Sequence, residues 1–306
     1  SNGANFTELT AYILCGIIAL ISFRKYEQYS RVIVLGIAVA ITTYSLYLML
    51  SGNFFSMSIN ELDGSRWRGV SKNPNQTSLY SLVGMGLLLL KLNFKEAFIP
   101  FILVFMLAVR AFSDAFLGGL IIGLFILAFS VIFIHGGKVL KTIGWLILLP
   151  SLLFIFSIYF GQLPLFFDAI MEEADEGGGR ITLATNGIIA FVHSPIIGHG
   201  AGAFSGGWFP FDNSEAHNTL IDFATIGGLL LPIIFYSIFF MSLYINIKKR
   251  SYMNGWILSA FLIFSLAHFI GRHPIVWVYW SFHLYHVLQY FYELKQEIKI
   301  SKPRNT

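Results

Sequence analysis

The chain is short of charge and of cysteine, and it carries no signal-like start. Only 12% of its residues are Asp, Glu, Lys or Arg, about half the share of a soluble domain, which argues against an ordinary water-facing globular surface. Cysteine occurs once, as Cys15 inside an apolar block. An intramolecular disulfide is therefore excluded, and a metal–thiolate site would lack a second thiol. The basic residues exceed the acidic ones by four (20 against 16) but are scattered in pairs and triplets. That pattern offers no basic face to nucleic acid. Residues 1–5 are uncharged, so the start lacks the positive region of a signal peptide and reads as a processed, tagged or truncated end.

What fills the chain instead is apolar sequence in long blocks: 56% of its 306 residues are hydrophobic and 17% aromatic, with a mean hydropathy of +0.70. A bilayer core about 30 Å thick needs roughly 20 apolar residues per helix, and it offers no water to backbone groups, so such blocks must be helices. Nine spans are expected, near 8–23, 32–50, 77–93, 96–110, 113–134, 139–160, 219–246, 254–270 and 275–292. The expected fold is all-α, a polytopic transmembrane helix bundle forming a single transmembrane domain over 1–306. Its two long connections are 51–76 and 161–218, the larger containing short helices, and a tail follows from 293 to 306.

Basic residues orient the spans. Arg24, Lys25, Arg31, Lys91, Lys95, Lys138, Lys141, Lys248, Lys249, Arg250, Lys295, Lys299, Lys302 and Arg304, 14 of the 20, fall in every second connection or in the tail. That side is expected to be cytoplasmic, with both long loops facing outward. Parity then puts the N-terminus outside, which fits a chain missing an odd number of leading helices. The outward set is Arg66, Arg68, Lys72, Arg110, Arg180 and Arg272, five Arg to one Lys, whereas the cytoplasmic set holds ten Lys and four Arg. Topology gives no reason for Arg outside. Phosphate recognition does, because guanidinium is a planar donor fork that stays charged. The plainer reading is Arg lying near lipid headgroups.

The first outward loop reads Arg66-Trp67-Arg68-Gly69, then Asn73-Pro74-Asn75, turn chemistry set directly before a span. Here Arg66 and Arg68 would reach an anionic headgroup; alternatively this is an ordinary turn with an interfacial Trp. In the second loop an acidic stretch (Glu172, Glu173, Asp175, Glu176) and three glycines precede Arg180. From Arg180 to His193 there is room for a helix, and Pro195, Gly198, Gly200 and Gly202 then force an open turn. Ala216-His217-Asn218 follows immediately before apolar sequence containing Gly227 and Gly228.

These motifs resemble those of the O-antigen polymerase and O-antigen ligase family of lipid-linked glycan transferases. Arg66, Gly69 and Asn73 match its Arg–Gly–Asn-Pro-Asn spacing. Arg180, the Pro-x-x-Gly-x-Gly turn from Pro195 to Gly200, and His217-Asn218 match its Arg-led helix, turn and His-Asn step. Where the family has Ser-Arg-Gly this chain reads Ser113-Asp114, so either Arg110 supplies that charge from one turn earlier or the role is absent. Only six spans precede the large loop, fewer than usual for the family, which agrees with missing N-terminal helices.

The resemblance implies a GT-C-like membrane glycosyltransferase that is metal-independent and inverts the anomeric carbon. It would use an undecaprenyl-diphosphate-linked glycan as donor and another glycan unit or lipid A-core as acceptor. The setting would be the bacterial inner membrane, with the site facing the periplasm or exterior. No cofactor is implied. Arg66, Arg68, Arg110 and Arg180 would bind the diphosphate, and a unit charge pair at 4 Å is worth ~4 kcal/mol at an effective dielectric near 20. His217 would take or position the acceptor proton, since its ordinary pKa lies near working pH. Asn218 would hold the loop, and either Glu215 or Asp222 would orient the imidazole. His193 and His199 lack a third metal ligand and read as backbone- or solvent-bonded. His268, His283 and His286 read as polar groups bonded across the bundle, and His273 beside Arg272 as part of a short outward turn. The alternative reading is a transporter or flippase of a lipid-linked or anionic solute, though no internal repeat marks one. Polymerase and ligase stay open, with a slight lean to polymerase.

Overall fold

In the computed structural model, residues 6–50, 74–111, 113–146, 178–203 and 214–301 are described. Every regular element among them is a helix: α1 (Phe6–Arg24), α2 (Tyr26–Leu50), α3 (Pro74–Lys91), α4 (Phe94–Arg110), α5 (Asp114–His135) and α6 (138–146). There follow α7 (Gly178–His193), α8 (Thr219–Gly227), α9 (Leu230–Lys248), α10 (Tyr252–Ala267) and α11 (Pro274–Ser301). Among the described residues, Thr7–Arg24, Asp114–His135 and Leu230–Lys248 are long and apolar enough to cross a membrane. Their surfaces agree. Ile13, Ile17 and Ile21 on α1 and Ile121, Leu124 and Phe125 on α5 are exposed. Apolar surface on this scale suits hydrocarbon as solvent rather than water, consistent with a membrane protein.

Several helices begin or end away from the apolar limits, for local reasons. Only Lys25 separates α1 from α2, because Glu27, Gln28 and Arg31 tolerate helix well and extend it beyond its apolar part. Pro74 starts α3; at the first helical position its missing N–H costs nothing. The expected continuous span at 219–246 is instead two helices, α8 and α9, parted at Gly228 and Leu229. Gly228 sits at φ 63 and ψ −164, a backbone region open essentially to glycine alone. The last helix runs past its apolar part to Ser301, on Glu-, Lys- and Gln-rich sequence.

The described chain forms two compact units. One comprises residues 10–124, 233–265 and 270–306; the other comprises 1–9, 125–232 and 266–269. In the first, helices meet through small residues and rings. A Cβ added at Gly119 or Gly123 of α5 would lie 2.9 Å or 2.7 Å from backbone atoms of Ala260 on α10. Beside this seam Trp256 Nε1 donates to the Leu120 carbonyl at 2.8 Å. In a bilayer, where burying apolar surface from water drives nothing, close backbone approach of this kind is what holds helices together. Gly86 of α3 likewise lies against the ring of Tyr279 on α11.

One end of this unit gathers basic residues. Lys91 Nζ lies 3.8 Å over the Tyr26 ring, which stacks on Tyr285 of α11. Tyr285 donates to Glu27, and Lys249 pairs with Glu293 at 3.0 Å. Midway along α9 and α11, Ser242 Oγ and His283 Nδ1 share a hydrogen bond of 2.6 Å.

Candidate functional site

The second unit holds the outward motif, and its parts are ordered by backbone rather than by bulk. Helix α7 buries Leu183, Asn186, Gly187 and Ala190, the spacing of a single helical face. Gly187 lets α8 approach: its carbonyl accepts from Thr225 Oγ1 at 3.2 Å, and a Cβ there would run into Ile221. Thr225 also bonds the Ile221 carbonyl at 2.8 Å.

After α7 the chain turns at Ser194-Pro195-Ile196-Ile197-Gly198. Gly198 N donates to the Ser194 carbonyl (3.0 Å) and Ser194 Oγ to the Gly198 carbonyl (2.8 Å), closing the turn on itself. Gly198, Gly200 and Gly202 all have positive φ. With the chain so directed, His199 N and Gly200 N donate to the carbonyls of Thr225 and Ile226 at 2.8 and 2.9 Å. These are end carbonyls of α8, which the helix itself leaves unbonded. Leu229 N returns a bond to the Pro195 carbonyl at 2.8 Å. His193 Nδ1 and His199 Nε2 each bond a carbonyl of α7, Ile189 (2.8 Å) and Ala190 (2.7 Å). Their polarity serves the turn.

The N-terminus of α8 places the proposed acid–base residue. Asn218 is its N-cap, with side-chain oxygen accepting from Leu220 N (3.0 Å) and Ile221 N (3.2 Å). One turn on, Asp222 is fully buried and reaches back. Its Oδ1 accepts from Ala216 N at 2.8 Å and its Oδ2 from Asn218 N at 3.2 Å. This resembles a capping box with the carboxylate displaced by one residue, so that it straddles the residue between those amides. That residue is His217, one of two described non-glycine residues at positive φ (52). An L-residue there costs about 1–2 kcal/mol, and the Asp222 bridge holds it in place. Burial pushes the Asp222 carboxyl up to about 7, against the pull of the two amide bonds.

Of the two carboxylates flanking His217 in sequence, the structure separates the roles. Glu215 Oε2 lies 4.0 Å from His217 Nδ1, within charge range of the imidazole when that ring is protonated. Asp222 acts on the backbone. A further tie had no signal in the sequence: Thr219 Oγ1 donates to the His268 carbonyl at 2.6 Å. Helix α10 stops at Ala267, so His268 belongs to the connection after the helix, and it is the backbone of this residue that joins the start of α8.

His217, Asn218, Glu215 and Asp222 thus come together. Arg180 stands in the first turn of α7 in the same unit, while its side chain, like Arg66, Arg68 and the acidic stretch 172–176, lies outside the described residues. Arg110 ends α4 in the other unit. Arg272 and His273 also belong there. The Arg272 carbonyl accepts from Cys15 Sγ at 3.7 Å, and His273 Nδ1 meets the Tyr80 hydroxyl at 3.3 Å. Burial, with Arg272 adding to it, lowers the His273 pKa to about 4. Among the described residues no group of three His, Cys, Asp or Glu side chains gathers as a metal site would require. No protein-family model matches this chain, and no curated protein matches its sequence.

Proposed function

We propose that the chain is a membrane glycosyltransferase using an undecaprenyl-diphosphate-linked glycan at the outer leaflet, as a surface-polysaccharide polymerase or an O-antigen ligase. The observation that carries this reading is His217, a titratable side chain fixed in a strained backbone conformation by the buried Asp222 carboxylate, with Glu215 at its ring. Strain maintained at a titratable residue by a buried carboxylate is a place to look for function. The site lies just before α9, a helix able to cross a membrane, where a lipid-linked substrate would present its phosphates.

In this reading His217 takes or positions the acceptor proton, Glu215 orients the imidazole, and Asn218 and Asp222 fix the backbone. Arg180, with Arg66, Arg68 and Arg110, grips the diphosphate and stabilises it as it leaves, without a metal. The chain folds as a GT-C-like bundle of about nine spans with this loop outward. An impermeant maleimide should then label Gly178→Cys but not Ser251→Cys in spheroplasts, both in a Cys15→Ser background; the reverse pattern overturns the orientation.

The chemical test separates two residues. Arg180→Lys should cut transfer about 100-fold, nearly as far as Arg180→Ala, since an ammonium keeps the charge but loses the fork. Both should weaken donor binding. His217→Ala should slow transfer while leaving donor binding close to wild type, because that proton moves only as the new bond forms. Titration of a short-chain lipid-diphosphate donor, followed by a transfer assay, reads both. Normal transfer in all three variants would sink the enzyme reading and favour a transporter.

A further inference from the structure

The turn after α7 presents apolar side chains that its own unit does not cover. Ile196 and Ile197 are 78% and 79% exposed, among the most exposed large apolar residues described. Val192 and Ile188, one and two turns back on α7, are exposed too, as are Leu229 and Leu230 where α9 begins. These form one surface. The Ile196 carbonyl lies against Gly228, and the Pro195 carbonyl accepts from Leu229 N, so the tip is tied to the first residues of a helix long and apolar enough to cross a membrane.

The backbone of the turn is bonded on either side of its tip. Irregular chain normally leaves its polar groups to water, and hydrocarbon supplies none. Here the carbonyls of Ser194, Pro195 and Gly198 and the amides of Ser194, Gly198, His199 and Gly200 are all bonded within the unit. The two flanking histidines each direct a ring nitrogen onto a carbonyl of α7, and no charged residue lies between Arg180 and Glu215 except Asp212. Among the described residues the peptide groups of Ile196 and Ile197 make no such bond and belong at the wet interface. An apolar tip tied to a helix able to cross a membrane, reaching down by its side chains alone, fits one partner. We infer that the side chains of Ile196 and Ile197 insert into the acyl-chain region of the leaflet on the α8 side of α9, anchoring the turn and fixing the height of His217 above the bilayer. This anchoring is independent of which reaction the site performs.

The full chain with Cys15→Ser and either Ile196→Cys or Ile197→Cys, carrying a nitroxide, is reconstituted in phosphatidylcholine–phosphatidylglycerol vesicles. Collision with oxygen, which partitions into lipid, is compared with collision with a water-soluble nickel chelate by electron paramagnetic resonance. Phe125→Cys on the exposed face of α5 and Glu297→Cys on the tail serve as lipid and water references. The ratio of oxygen to nickel accessibility at both turn positions should rise to that of the Phe125→Cys label. A ratio like that of Glu297→Cys would put the tip in water, and an immobile label reached by neither reagent would put it against protein. Either result overturns the proposal.

Discussion

The α5–α10 seam and the α7–turn–α8 motif both depend on glycine, and they depend on it differently. At the seam Gly119 and Gly123 are ordinary helical residues whose missing Cβ makes room for Ala260. In the motif Gly198 and Gly228 combine that need for room with positive φ. The seam needs glycine for room alone; the motif needs it for room and for its backbone angle. The bundle is held by shape, as expected in lipid, whereas the site is held by directed hydrogen bonds to its backbone.

That contrast can be broken most sharply at Gly228. Gly228→Ala puts a methyl onto the Ile196 carbonyl in a conformation alanine avoids, and should cost about 1–3 kcal/mol or prevent folding of the motif. Gly118→Ala, with open space around its Cβ position, should be neutral or stabilise by up to about 1 kcal/mol. Midpoints of thermal unfolding in one detergent compare them; equal midpoints would show that Gly228 needs neither the room nor the angle.

A second test uses pH. The Asp222 carboxyl is raised to about 7 in the folded state, by burial, from about 3.9 in the unfolded chain. Between those values the folded state holds the extra proton. Its contribution to stability is therefore full below about pH 4 and declines as pH rises through about 7. Buried His273, lowered to about 4 by burial and Arg272, works in the opposite sense, losing stability as pH falls through about 6.5 towards 4. Comparing the wild type with Asp222→Asn isolates the first slope. If the two unfolding profiles run parallel from pH 4 to 7, Asp222 is ionised throughout and its amide bonds outweigh its burial.

The smallest expected effect has the most telling sign. His217→Gly removes the αL strain and should raise stability by up to about 1 kcal/mol while abolishing the proposed proton transfer. A loss of stability instead would mean that the imidazole supports the fold and that the strain serves no reaction.

The helical character of the described residues, and three helices able to cross a membrane, were legible because hydropathy blocks report directly on such helices. The break at Gly228 was not legible. Averaged hydropathy runs smoothly from Thr219 to Ile247, and a glycine's backbone angle leaves no trace in it. The turn was visible from Pro195 and its glycines, but not the carbonyls that they cap. Asp222 could be placed near His217 by spacing alone. Spacing cannot tell a carboxylate that touches a ring from one that touches the amides on either side, and only the reach back from α8 decided it. Arg66 and Arg68, prominent in the sequence, lie outside the described residues and stay with the proposal.

The bonds from His199 and Gly200 to Thr225 and Ile226 also impose an order of assembly. As the chain emerges during synthesis, α7 and its turn come first, yet the turn has nothing to close upon until α8 has formed and offered its last carbonyls. The bond from Leu229 to Pro195 then comes with the opening residues of α9. The site is therefore among the late events of its own loop, completed only when the next helix is ready to insert.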